Sequence, residues 1–243
     1  MGKIIPNNIR SMINKALGKD VIRKHPNAAS SGSGMEHWIL KIRRLSNINI
    51  SNIFEIGANY AQDAEFMRHY LGLQPKEVYV FEPHPQIISE VRNYYQFNAF
   101  DYAISNKNGS AVFHAIDLTK IKNSGISSLL KHNIVEKENY FDVEVELLRM
   151  DTFIELHKID SIDFVKLDVE GYTYQVLEGF GKSLSKVKCI QLEAEHVEVF
   201  DGERLFDEVN SLLCNNNFIM VYFEMLDGKQ SDSLWIRKEY LKG

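Results

Sequence analysis

From residue 48 onward, short apolar runs alternate with segments whose apolar residues recur at helical spacing, and no other feature of the chain restricts its fold so strongly. "NIFEIG" reads as a strand, and residues 60–71 read as a helix with Ala64, Met67 and Leu71 on one side. "EVYVFEP" and "HPQIISEVRNYYQF" repeat the pair, with Ile87, Ile88, Val91, Tyr94 and Tyr95 facing inward. Strands separated by helices pair in parallel, so the expected fold is α/β, a doubly wound, mostly parallel Rossmann-like sheet.

"FDYAIS" is expected as the third strand, after which "SAVFHAID" and "YFDVEVELL" alternate at period two. Val143, Val145 and Leu147 stand opposite Glu144 and Glu146, the pattern of an antiparallel insertion with one wet face. "IDFVKLDVEG", a helix around "YQVLEGF", "KVKCIQLEAE" and an amphipathic helix over 203–214 resume the alternation. "FIMVYFEML" and "DSLWIRK" close the sheet as two strands joined at Asp227 and Gly228, which brings the strand total to seven.

The 243 residues, 44% of them apolar, suffice for one core, expected over 35–243. Residues 1–34 are expected to be an extension, because they hold six Lys or Arg against one acid in a chain of net charge −5. Ile9, Met12, Ile13, Ala16 and Leu17 fall at helical spacing there; such a helix can pack on the body or on a second subunit of a homo-oligomer, or rest peripherally on an anionic membrane. "AASSGSG", 28–34, reads as a flexible linker. An acidic body argues against nucleic acid as a partner. No run suits a transmembrane span or a signal peptide, and Cys189 and Cys214 have no metal or redox spacing, so a cytoplasmic protein with reduced thiols is expected.

Open α/β sheets bind ligands beyond the carboxyl ends of their strands, and the chemically distinctive residues fall there. Gly57 follows the first strand, Glu82 ends the second, Asp101 lies on the third, Asp168 and Glu170 end the fourth, and Glu193, Glu195 and His196 end the fifth. A glycine turn feeding a helix, with a carboxylate 25 residues later, fits a nucleoside: the turn admits the ligand and the acid accepts both ribose hydroxyls. "GANYAQ" has one glycine and is a poor pyrophosphate loop, and no P-loop exists. A ribose without phosphate, as in S-adenosylmethionine, fits better, with Glu55 and Asp168 near its positive groups; Glu55 as a helix-capping acid is the other reading.

"FEIGAN", "VYVFEPHP", "AISNKNGSAVF", "SSLL", "LLRMDTFI", "IDFVKLDVEG" and "VLEGF", in that order, resemble the FkbM methyltransferases over about residues 50–237. The resemblance implies an S-adenosylmethionine-dependent O-methyltransferase whose acceptor is a sugar, nucleotide-sugar or glycan. It implies a cofactor loop of Glu55, Gly57, Ala58 and Asn59, a ribose site at Glu82 and Pro83, and an adenine border from Asp101 to Ala103. Two departures stand out, Ala61 and Thr173, at positions where such sequences usually carry glycine and an acid.

Methyl transfer to a neutral hydroxyl requires a proton acceptor within hydrogen-bond reach. Asp168, Glu170, Glu193 and His196 are the candidates, with Asp168 or Glu170 favoured. Lys166 shares a strand face with Asp168 and either pairs with an acid or takes part in the chemistry. Clustered acids suit Mg²⁺, but no spacing demands a metal and none is expected. A nucleotide-dependent oxidoreductase and a non-catalytic cofactor-binding protein remain the competing readings, since one architecture hosts many functions.

Overall fold

The computed structural model describes residues 22–29, 32–121, 123–133 and 136–243. The basic helix expected through Ile9 and Leu17 lies outside the described residues. Seven strands form one sheet: β1 (Ile53–Ile56), β2 (Val78–Phe81), β3 (Asn98–Phe100), β7 (Ile162–Leu167), β8 (Val187–Glu195), β9 (Phe218–Met225) and β10 (Gln230–Arg237). Their spatial order is β3-β2-β1-β7-β8-β10-β9. The first five are parallel, and β10 runs antiparallel to both β8 and β9. The chain reverses direction across the sheet between β1 and β7, the place where this architecture leaves a crevice.

Helices cover both faces. α1 (Met35–Leu45), α2 (Gln62–Leu71) and α3 (Pro85–Tyr94) bury Trp38, Ile39, Met67 and Ile87 against one side. α4 (Met150–Leu156), α5 (Thr173–Gly179) and α6 (Phe206–Asn215) bury Phe153, Val176 and Val209 against the other. Each such side chain contributes about 1.5–3 kcal/mol when fully buried. α3 begins with Pro85, whose missing N–H costs nothing in a first turn, and α2 stops at Gly72, which adopts φ +75°.

The expected third strand is two pieces. Asn98–Phe100 pairs with β2, whereas β4 (Ala103–Ser105) leaves the main sheet and joins β5 (Gly109–Ile116) and β6 (Tyr140–Arg149) in a three-stranded sheet. β5 and β6 are antiparallel, as the alternation predicts. Asp101 therefore sits in the break rather than on a strand; its exposed carboxylate bonds the Arg92 guanidinium at 2.9 Å on the surface.

The described part of the expected linker is packed. Ala28 is buried in the α1–α3 core, and a Cβ at Gly32 would lie 2.5 Å from the Gln62 carbonyl oxygen. Upstream, the His25 N–H donates to Gln62 Oε1 at 2.9 Å, and the His25 ring stacks on Tyr60 at 4.6 Å. Apolar and aromatic surface on α2 and α3 holds this segment down, which its small-residue composition does not reveal. No helix among the described residues is long and apolar enough to cross a membrane.

Candidate active site

Glu55, the third residue of β1, points to the α1–α3 face and is 1% exposed. Its Oε2 accepts the Ala64 N–H at 3.0 Å, one of the free amides of the first turn of α2, so Glu55 caps that helix. Burial drives its carboxyl up to about 8, against the opposing pull of Lys166. Lys166 occupies the neighbouring position on β7. Its ammonium lies 3.4 Å from Glu55, 3.1 Å from Asp63 and 3.2 Å from Asp168. Burial alone would lower its pKa, but those three acids outweigh burial and hold it charged well above its ordinary range.

The turn after β1 is built around Gly57, at φ +78°. A Cβ there would stand 1.7 Å from the Asp168 carbonyl oxygen, so only glycine lets the two strand-end loops touch. Asn59 and Ala61 also adopt left-handed backbone, at φ +48° and +52°. The Gly57 and Ala58 N–H groups donate to Phe81 O, and the Asn59 N–H donates to Glu82 Oε2 at 2.7 Å. Glu82 Oε1 accepts the His84 N–H at 2.8 Å. Glu82 is thus fixed by backbone donors on both oxygens, each with a lone pair left over. Burial raises it to about 7, with the two amides opposing.

A cleft opens over these groups. Gly57, Asn59, Glu82 and Pro83 form one wall; Tyr102, Ala103, Ile104 and Phe113 form the next; Ser124, Gly125, Asp168, Glu170 and Tyr172 close it. Ser124 Oγ donates to Asn59 Oδ1 at 2.9 Å, which ties the insertion to the β1 turn. The cleft combines an apolar slot beside Phe81 with a polar floor at Glu82, a shape suited to a flat heterocycle joined to a diol. Two further clefts meet it at Asp168: one under Ala28 and Ala29 lined by Glu55, Ala58 and Asp63, the other between α1 and the ends of β8 and β10.

Carboxylate oxygens of Asp168, Glu170 and Glu193 lie within 4.8 Å of one another, a group that could hold a metal ion. Burial first, and Asp168 second, push Glu193 up to about 9 and Glu170 well above its usual range. Glu170 sits at φ +50°, held by the Ser128 hydroxyl, which donates to its carbonyl oxygen at 2.6 Å. Glu195 accepts the Gly171 N–H at 3.1 Å and holds the β7 loop in place.

Of the sequence-derived residues, Glu55, Gly57, Ala58, Asn59, Glu82, Pro83, Ala103, Asp168, Glu170 and Glu193 converge on these joined clefts. His196 does not line them: its Nε2 is 2.8 Å from Ser231 Oγ and its ring stacks on Phe206 at 4.7 Å, because the strand end turns it toward α6. Asp101 is likewise withdrawn to its pair with Arg92. Asp63, Gln191 and Asp232 line the site without having been singled out. Asp63 reads as an ordinary helix-start acid, and Asp232 reads as one polar residue in an alternating strand. Only the register that sets Asp232 against Glu193 reveals it.

The FkbM methyltransferase domain model matches residues 55–220. The chain is 30% identical over 163 residues to a 2-O-methyltransferase, NoeI, of Sinorhizobium fredii (strain NBRC 101917 / NGR234), an alignment covering 62% of this chain and 66% of that protein, just under two thirds of its length. Among solved structures, an FkbM methyltransferase from Methylobacillus flagellatus KT aligns over 77% of this chain and 44% of its own, at 14% identity and a TM-score of 0.49. An S-adenosylmethionine-dependent methyltransferase from Clostridium acetobutylicum ATCC 824 aligns over 95% of this chain and 98% of its own, at 7% identity and a TM-score of 0.48.

Proposed function

Because the chain belongs to the FkbM methyltransferase family, we propose that it transfers a methyl group from S-adenosylmethionine to a hydroxyl of a sugar or glycosylated acceptor. The observation that carries this reading is Glu82: a buried carboxylate, immobilised by two backbone amides, facing a cleft whose other side is apolar. That arrangement fits an adenosine, since a fixed carboxylate accepts hydrogen bonds from both ribose hydroxyls while Phe81, Ile104 and Phe113 flank the base. When bound, the cofactor supplies an activated methyl on a sulfonium, which leaves the protein to align the acceptor, exclude water and remove a proton.

Asp168 stands where all three clefts meet, with its side chain 39% exposed and 3.2 Å from Lys166. As the exposed carboxylate at that junction, it takes the proton of the acceptor hydroxyl. Glu193, raised to about 9, carries a proton at neutral pH and orients the acceptor rather than serving as the base, and burial shifts Glu170 in the same direction. The relative named as a 2-O-methyltransferase supports an oxygen acceptor.

Two variants test separate halves of the proposal. Glu82→Gln should weaken S-adenosylmethionine binding about 10-fold or more by calorimetry, through loss of charge-assisted hydrogen bonds. It should also abolish the rise in affinity expected as pH climbs through about 7, where Glu82 ionises. Asp168→Asn should lower kcat by about 10²–10⁴-fold while leaving cofactor affinity within a few-fold. Unchanged affinity in the first variant removes the ribose assignment, and unchanged turnover in the second removes the base.

A further inference from the structure

The cleft beneath α1 is chemically one-sided. Asp63, Asp168, Glu193, Glu224 and Asp232 line it with no arginine among the described residues, and His37 stands at the rim 3.9 Å from Glu224. Its single lysine, Lys166, directs its ammonium at three carboxylates and has no free N–H to offer. Gln191, 4% exposed, turns its amide nitrogen to Asp232 Oδ1 at 2.9 Å, which leaves its buried Oε1 without a partner. Gln230 likewise spends its amide on Glu193 Oε1 at 3.0 Å. Apart from the proton on Glu193, the carboxyl and amide groups on the floor of the cleft are left to accept hydrogen bonds, so the ligand has to bring most of the donors.

We infer that this cleft is the acceptor site of the proposed methyltransferase and that it takes neutral or amine-bearing sugars and excludes acceptors carrying phosphate, sulfate or carboxylate near the methylated hydroxyl. The inference rests on the methyl-transfer reading above and narrows it. Hydroxyl and ammonium groups satisfy carboxylates and the Gln191 oxygen directly. An anion placed there meets the carboxylates of Asp63 and Asp168 in a partly desolvated cleft whose lysine is already committed to those acids. A nucleotide-sugar thus fits this cleft poorly, although its sugar alone would fit.

The test uses the full chain, S-adenosylmethionine carrying a tritiated methyl, and a glycoconjugate extract divided by ion exchange into neutral, amine-bearing and acidic fractions. Label is expected in the neutral and amine-bearing fractions. Label confined to the acidic fraction overturns the charge selection while methyl transfer stands; label in no fraction removes the methyl-transfer reading and this inference with it. Glu224→Lys at the exposed rim should raise the acidic-to-neutral labelling ratio about 2–5-fold at low salt, and less in high salt; an unchanged ratio counts against the inference. Labelling that disappears with EDTA and returns with Mg²⁺ assigns Asp168, Glu170 and Glu193 to a cation instead, and also overturns it.

Discussion

The two faces of the central sheet are made by alternate residues of the same strands, and both bury apolar side chains, yet toward the strand ends their chemistry diverges. Phe54, Val165, Ile190 and Trp235 lie side by side on the face toward α4, α5 and α6, all fully buried. One residue along, Glu55, Lys166 and Gln191 lie side by side on the face toward α1, also buried, and Glu193 and Asp232 form the next row. The first row stabilises by area and shape. The second carries desolvated polar and ionisable groups, which cost stability unless each is paired or protonated, so their retention points to the clefts they line.

Removing one residue from each row should separate the two kinds of cost. Lys166→Met leaves Glu55, Asp63 and Asp168 facing one another, and a loss of about 3–5 kcal/mol is expected at neutral pH. Phe54→Ala should cost about 3–5 kcal/mol as well, through the cavity left behind. Denaturant melts at pH 7 and pH 9 distinguish them: the lysine deficit grows as pH rises through about 8, where Glu55 has to ionise without its cation, and the phenylalanine deficit does not. Equal pH dependence in both variants would mean that the polar row is not electrostatically coupled.

The unmutated protein should already reveal the charged face. Glu55, Glu82, Glu193 and Glu195 are raised to about 8, 7, 9 and 7, chiefly by burial. A carboxyl raised on folding contributes stability below its unfolded pKa and loses it as pH rises through the folded value. The Tm without cofactor should therefore fall between about pH 5 and pH 9, and Glu193→Gln should flatten that slope. A Tm that climbs over this window contradicts the assignment.

The smallest effect concerns the turn joining the two rows to the ligand. Ala61 adopts φ +52° with its side chain buried, a conformation that costs a residue with a Cβ about 1–2 kcal/mol. Ala61→Gly should stabilise the protein by about 0.5–1 kcal/mol, less than the full strain because glycine also gains freedom in the unfolded chain. A destabilised variant would show that packing of the Ala61 methyl outweighs backbone strain.

The alternation of apolar runs and helical periods determined the parallel sheet, the antiparallel insertion and the strand ends where Gly57, Glu82 and Asp168 stand, because period and turn chemistry are local properties of a chain. "FDYAIS" misled because nothing local says that β3 stops at Phe100 and that Ala103–Ser105 pairs with another sheet. His196 and Asp101 misled for a related reason: being near a strand end in sequence does not decide which way a side chain turns. Tertiary structure alone decided that Lys166 would be ringed by three acids from separate segments, that Asp232 would lie against Glu193, and that residues 22–29 would pack over α2 and α3. Each of those depends on register and on the meeting of distant segments, and the free energy of such contacts exists only once the chain is folded.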